Sequence, residues 1–406
     1  MHVKGNSLMK IALKAPVGRH PGFVLVSYAF AVTMMGTTLP TPLYPIYQQG
    51  IGFSSLLVTV IFATYAVGVI AALLLFGQLS DEIGRRWVLL AGLLLSAASA
   101  LAFLFAGDLT LLFVGRMLSG LSAGIFTGTA TAALVDLAPQ EEQRKATLIA
   151  AGVNMGGLGL GPLLSGVLAQ YAVQPLRLVF IINLILLVLA IAGILMIPEP
   201  VEVKTNVRLR LQRLRVPAQV RATFIHAAIP GFVGFAVLGL FTAVAPEFLN
   251  QTLHIPNHAL TGLVVFAVFA SSTVGQLLLE RFPQRLTLPA GCIGLIIGLV
   301  LVASGLQAHS LALLVTGAVV AGLGQGLSFR AGLAEINARS PSTQRGEIAS
   351  SFFVVLYVAI SIPIIGVGMA AQIFGLQVAG IAFSAIMAIL ALIALIILVT
   401  RPDAQS

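Results

Sequence analysis

Charge is what this chain has least of. Asp, Glu, Lys and Arg make up 9% of its 406 residues, where a water-soluble domain carries about a quarter. With 58% of residues hydrophobic, there is too little polar surface to clothe a globule in water, so lipid must be the main solvent. Acid is scarcer still, with 13 Asp and Glu against 22 Lys and Arg. The excess of base does not point to nucleic acid, because the basic residues are scattered through short loops, as membrane topology requires. Cysteine occurs once, at Cys292, which excludes an internal disulfide and leaves a small hydrophobe in an apolar run. No G-x-x-x-x-G-K-[ST] phosphate loop occurs, which argues against an ATP-driven pump. The nearest approach to a metal site is HIPNH, 254–258, but Pro256 keeps His254 and His258 off a shared helical face, and no carboxylate is close in sequence. The expectation is a protein with no metal, no cofactor and no enzymatic activity.

Long apolar runs are what the chain does have. Stretches such as 55–76, 88–106 and 376–399 approach the ~20 residues that span a bilayer as helix. Hydropathy places twelve spans near 23–47, 55–79, 87–106, 110–135, 147–171, 177–197, 222–247, 259–280, 287–306, 310–337, 346–372 and 375–400. The fold class is an all-α polytopic membrane protein. Of the 22 basic residues, 19 fall on the side that carries both ends of the chain; Arg177 alone lies in an opposite loop, and Arg116 and Arg330 lie within spans. Basic loops stay cytoplasmic, so both termini are expected inside a cytoplasmic membrane. Residues 1–22 read as a basic tail rather than a cleaved signal, since no A-x-A site follows a short apolar core.

The longest polar interruption opens with Pro198 and Pro200 and is dense in arginine. Residues 198–221 read as a linker between two bundles, 23–197 and 222–400, followed by a short tail, 401–406. Leu209, Leu211 and Leu214 could rest on the membrane surface, although a solvated tether fits as well. The two sides repeat at an offset of about 200 residues. GQL at 77–79 recurs at 275–277, SGLSAG at 119–124 aligns with AGLGQG at 321–326, Gln143-Arg144 with Gln344-Arg345, and Pro162 with Pro363. Four matches in one order are the mark of a duplicated half. The expected architecture is two pseudo-symmetric six-helix bundles that rock about a central site.

One short stretch concentrates the scarce charge: GQLSDEIGRRW, 77–87. Gly77 and Gly84 permit a tight turn and close backbone approach. Asp81 could accept from the backbone N–H groups of a neighbouring helix N-terminus, with the start of span 11, after Arg345, as the candidate. Arg85 and Arg86 could pair with Asp136 at the end of span 4, or serve only as topology signals. Through Gly77, Leu79, Asp81, Gly84, Arg85, Arg86 and Leu89, this loop resembles the loop 2–3 signature of the major facilitator superfamily. Glu82 stands where a basic residue is usual. The resemblance implies twelve spans, alternating access and a gating role for Asp81.

Span 5 contains GLGLGPLLSG, 157–166, which resembles the motif of the drug-exporting antiporter branches through Gly157, Gly161, Pro162 and Gly166, with Ser165 replacing one glycine. Pro162 removes a helix hydrogen bond, and any tightly packed kinked helix would look similar. The motif tilts the reading towards export. Span 4 contains LFVGRMLSG, 112–120, which resembles a motif whose arginine is linked in the family to proton coupling. An arginine at membrane depth costs about 2.5–3.5 kcal/mol on insertion scales, so Arg116 faces a cavity or a partner, or else snorkels outward. Span 1 offers it no Asp or Glu. The remaining coupling candidates are Asp81, Glu247 at the outer end of span 7, and Glu335 in span 10, with Arg330 as its expected partner; a structural ion pair explains those two equally well.

A substrate cavity is expected near the midplane, with Thr33, Thr37, Asn154, Phe235, Gln276, Gln325, Phe353 and Tyr357 as lining candidates. Few charges and several aromatics suit an apolar or amphipathic small molecule. The expected partners are that solute, protons and the lipid bilayer, with the chain acting as a monomer and binding no nucleic acid. Proton-coupled uptake of a small metabolite, with Arg116 and Arg330 serving an anion, is the alternative.

Overall fold

The computed structural model describes residues 18–76, 79–201, 212, 214–281, 283–341 and 344–400. Gly77, most of the linker with its Leu209 and Leu211, and the two tails lie outside them. Among the described residues, twelve helices are long and apolar enough to cross a membrane: Arg19–Ile51, Ser55–Phe76, Arg85–Leu104, Leu109–Leu137, Gln140–Tyr171, Pro175–Met196, Ala218–Thr252, His258–Arg281, Arg285–Gln307, Leu311–Arg339, Arg345–Phe374 and Leu376–Thr400. They are spans 1 to 12. No strand occurs among the described residues. Because the count is even, span 1 begins and span 12 ends on the same face, called here the near face; the other is the far face.

Capping and proline explain where these helices start and break. Asp108 accepts from the Leu111 backbone N–H at 3.0 Å and Ser310 from that of Leu313 at 3.4 Å. These two residues occupy the same place at the head of spans 4 and 10, each supplying an acceptor to an otherwise orphaned N–H. Span 1 breaks after Thr38, where Pro40, Pro42 and Pro45 admit a 3-10 turn, Thr41–Leu43, before helix resumes at Tyr44. Span 11 breaks at Ile360 and Ser361, just before Pro363. Span 7 ends in a π-helical turn, Phe248–Thr252, after Pro246.

Spans 1–6 and 7–12 form two six-helix bundles. Their seam runs along spans 5 and 8 on one flank and spans 2 and 11 on the other. Span 7 is the most enclosed: every residue from Val233 to Leu249 is buried. Lipid-facing spans such as 6 and 12 instead present exposed Ile185, Val188, Leu189, Ile386 and Ile389, as a bilayer solvent permits.

Glycine makes the seam thin. A Cβ at Gly166 in span 5 would stand 2.5 Å from the carbonyl oxygen of His258 in span 8, and one at Gly262 would collide with the Pro162 carbonyl. The other two motif glycines face the opposite way. A Cβ at Gly157 would lie 2.7 Å from the Ala31 carbonyl, and one at Gly161 would strike Thr38. Span 5 is thus clasped between span 1 of its own bundle and span 8 of the other. Pro162 has no N–H for the Leu158 carbonyl, and that carbonyl accepts from Thr38 Oγ1 at 2.8 Å instead.

Candidate functional site

At the near face, the charged loop folds onto its own bundle. Arg85 bonds Asp136 through Nε at 3.0 Å, Asp81 through Nη1 at 2.5 Å and the Ser80 hydroxyl at 2.6 Å. The expected contact of Asp81 with the start of span 11 is not what the structure places there: Asp81 is 58% exposed and paired one turn along with Arg85. Arg86 does not reach Asp136. Its guanidinium lies 5.7 Å from the Trp87 ring centroid, and its Nε has no hydrogen-bond partner.

The anion at a helix N-terminus is Glu199, a residue the sequence reading passed over. Its carboxylate accepts from the backbone N–H groups of Arg85 at 2.7 Å and Arg86 at 3.1 Å, at the head of span 3. Gly84 makes room with φ of 99°, and a Cβ there would stand 2.6 Å from Glu199 Oε2. The only hint was an acid lodged between Pro198 and Pro200, directly after span 6.

Arg116 is 1% exposed. It does not snorkel. Nε donates to the Tyr44 hydroxyl at 2.5 Å and Nη1 to the Thr37 carbonyl at 2.6 Å. The rings of Tyr44, Phe62 and Phe103 lie 5.3, 5.6 and 5.9 Å from the guanidinium carbon, so aromatic faces supply part of what a carboxylate would. Nη2 has no hydrogen-bond partner.

Arg116 lines a cavity on the seam between the bundles. Its volume is about 50 Å³, room for a few water molecules. Of the expected lining residues, Thr37, Asn154, Phe235, Phe353 and Tyr357 are there. Thr33 is buried away from it, and Gln276 and Gln325 are occupied elsewhere. The Ser272 hydroxyl donates to Gln325 Oε1 at 2.5 Å and accepts from Gln276 Nε2 at 3.4 Å, tying span 8 to span 10. Tyr65, Phe329 and Thr127 also line the cavity and were not foreseen. Tyr357 reaches across the seam: its ring meets that of Tyr65 edge-on at 6.3 Å, and its hydroxyl interacts with those of Tyr65 and Thr127. Phe235 packs on Phe329 at 5.4 Å and on Tyr357 at 6.4 Å.

Beyond the cavity, the far face is shut by contacts between the bundles. Gln48 Nε2 donates to Glu247 Oε1 at 3.3 Å, and Gln170 Oε1 accepts from the His258 backbone N–H at 2.9 Å. Thr59 fills the space over Gly368. Glu247 is 6% exposed, and no ion pair to it occurs among the described residues. On the near face, Arg144 and Glu280 make a solvated cross-bundle pair at 3.2 Å. Arg330 and Glu335 do not pair as expected. Glu335 lies 3.9 Å from Arg339, and Arg330 Nη1 is without a hydrogen-bond partner.

Two six-helix bundles enclosing a cavity behind a shut far wall are the architecture of a secondary transporter. The sequence profile of the Major Facilitator Superfamily matches residues 26–362 and again 231–406. The chain belongs to that superfamily. It is 25% identical over 148 residues to the quinolone resistance protein NorA of Staphylococcus aureus, covering 36% of this chain and 38% of that protein. Over 176 residues it is 26% identical to the putative multidrug resistance protein MdtD of Escherichia coli, 43% of this chain and 37% of that one. The chain thus aligns with little more than a third of the length of these curated relatives. Among solved structures, a POT family transporter in complex with a thioalcohol-conjugated peptide superposes with a TM-score of 0.77 at 14% identity, over 96% of each chain.

Proposed function

We propose that this protein exports small apolar or amphipathic molecules across the cytoplasmic membrane by alternating access, in exchange for protons, as a monomer with its near face in the cytosol. The observation that carries the reading is the aromatic cavity on the bundle seam, closed off from the far face by Gln48–Glu247 and by the glycine contact of spans 5 and 8. A solute entering from the near face would meet a shut far wall, and parting that wall while the near face closes would discharge it outward. On the near face, the Arg144–Glu280 pair between the bundles belongs to the gate of the other half-cycle, and the contacts of Arg85 brace that end of the first bundle. The names of the two resistance proteins support export, and the distribution of basic loops supports the orientation.

Among the acids, Glu247 suits the proton-carrying role best. Asp81 is exposed and held by Arg85, and Glu335 sits near Arg339, whereas Glu247 is buried at the seam itself, with Gln48 and Ser55 as neutral partners. A proton exchanged there would act directly on a contact that has to break in every cycle.

The test is flux in proteoliposomes of known orientation, with N-phenyl-1-naphthylamine as the amphipathic probe and an imposed pH step. Export driven by an acidic far side, and lost in Glu247→Gln while downhill exchange survives, is the expected result. Flux indifferent to the pH step removes the proton from the scheme. Accumulation on the near side removes export and establishes uptake.

A further inference from the structure

The cavity carries one formal charge and nothing to balance it. Among the described residues, Arg116 is the only charged side chain lining it; the rest of the wall is aromatic, aliphatic, thioether, hydroxyl or amide. Arg116 is 1% exposed and commits Nε and Nη1 to Tyr44 and Thr37, which leaves Nη2 with no acceptor. Asn154 lines the same space, and its Oδ1 has no donor. Buried polar groups find partners in folded proteins, and two that lack them on one cavity wall mark where a ligand supplies what the protein withholds. A guanidinium N–H left without an acceptor bonds an anionic oxygen more strongly than a neutral one.

We propose that the transported solute is a small monocarboxylic acid with an aromatic or apolar body, its carboxylate held by Arg116 and a second polar group by Asn154. This rests on the reading of the cavity as the substrate chamber. A single cation balances a single negative charge, so a dianion would leave net charge buried in a low-dielectric wall. A cationic solute would meet Arg116 with no acid to offset it. Phe235, Phe329, Phe353, Tyr65 and Tyr357 are the surface for the body of the molecule. At about 50 Å³ the chamber is collapsed around its seam, so such a molecule enters when the bundles part.

The experiment is calorimetric titration of the purified protein in detergent with 2-naphthoate and with its neutral isostere 2-naphthamide. The acid is expected to bind about ten to a hundred times more tightly than the amide, the range of a charge-assisted hydrogen bond. Arg116→Gln, which removes the charge, should remove most of that preference. The acid–amide comparison in the unmodified protein decides the matter even if the variant does not fold. Equal affinities, a preference for the amide, or no binding of the acid at millimolar concentration overturns the proposal. So does a preference unchanged in Arg116→Gln, or sulfate competing as strongly as naphthoate. Binding in detergent has no direction, so a failure of the export reading leaves this result standing, and the reverse holds too.

Discussion

A single methyl group at Gly262 should unlock the far face. The Cβ of Gly262→Ala would run into the Pro162 carbonyl of span 5, with the carbonyl carbon at 2.9 Å and the Gly166 Cα at 3.3 Å. These are backbone atoms, so no side chain can swing aside; the helices have to separate. Overpacking of this kind costs about 1–3 kcal/mol. In a protein with one state, that would appear as lost stability. Here the clash exists only while the far face is closed, so it biases the open state, by about 5- to 150-fold. Replacing any helical glycine by alanine also gains roughly 1 kcal/mol of helix propensity. Gly156→Ala in span 5, where a Cβ meets nothing within 4 Å, cancels that term. The assay is the rate at which a membrane-impermeant maleimide, applied from the far face, labels Thr242→Cys, which is 2% exposed at the cavity. The native Cys292 is buried and stays silent. A labelling rate in Gly262→Ala equal to that of the Gly156→Ala control, with the protein intact, would refute the claim that the glycine contact holds the far face closed.

Other consequences can be measured alongside. Tyr44→Phe deprives Arg116 Nε of its acceptor and should lower thermal stability by the equivalent of about 1–3 kcal/mol; an unchanged melting curve would mean the hydroxyl contributes nothing. Glu199→Ala removes the acceptor for two backbone N–H groups at the head of span 3 and should cost about 0.5–2 kcal/mol, whereas Asp81→Asn, on an exposed pair, should cost far less; reversed magnitudes in a melting series would count against the assignment. Glu280→Gln breaks the Arg144 contact, one partner of which is 78% exposed, and should change stability by less than about 1 kcal/mol. A disulfide between Gln48→Cys and Glu247→Cys should stop downhill exchange, the activity that does not need the Glu247 carboxylate, with reduction restoring it; exchange in the oxidised protein would show that the far face need not open.

How much of this was legible in the residues depended on how local the physics is. The spans were readable because lipid demands unbroken apolar helix, and the paired N-caps Asp108 and Ser310 follow the same repeat that GQL and the prolines disclosed. Part of the cavity wall was also within reach: Thr37, Asn154, Phe235, Phe353 and Tyr357 stand out as polar or aromatic positions at middle depth. Gln276 and Gln325 stood out by the same criterion, but they are tied to each other through Ser272, and no spacing rule distinguishes an amide that faces a chamber from one that faces a neighbour. Arg116 shows the deeper limit. The missing carboxylate in span 1 was plain, but its replacement by Tyr44, Phe62 and Phe103 depends on the break in span 1 that brings Tyr44 back over span 4. Arg330 and Glu335, close in sequence, were expected to pair, yet Glu335 lies nearest the residue one turn further on, Arg339.

The two closures of this molecule differ in kind, and that has a kinetic consequence. Where spans 5 and 8 touch through Gly166 and Gly262, the bond is dispersion between bare backbones, about 0.1–0.2 kcal/mol per atom pair, with no ions for dissolved salt to compete with. The opposite closure is partly ionic, through Arg144 and Glu280, and lies within reach of the aqueous counterion cloud. Raising the electrolyte concentration should therefore quicken separation at one end of the molecule and leave the other indifferent, making the cycle asymmetric in its response to the ionic medium.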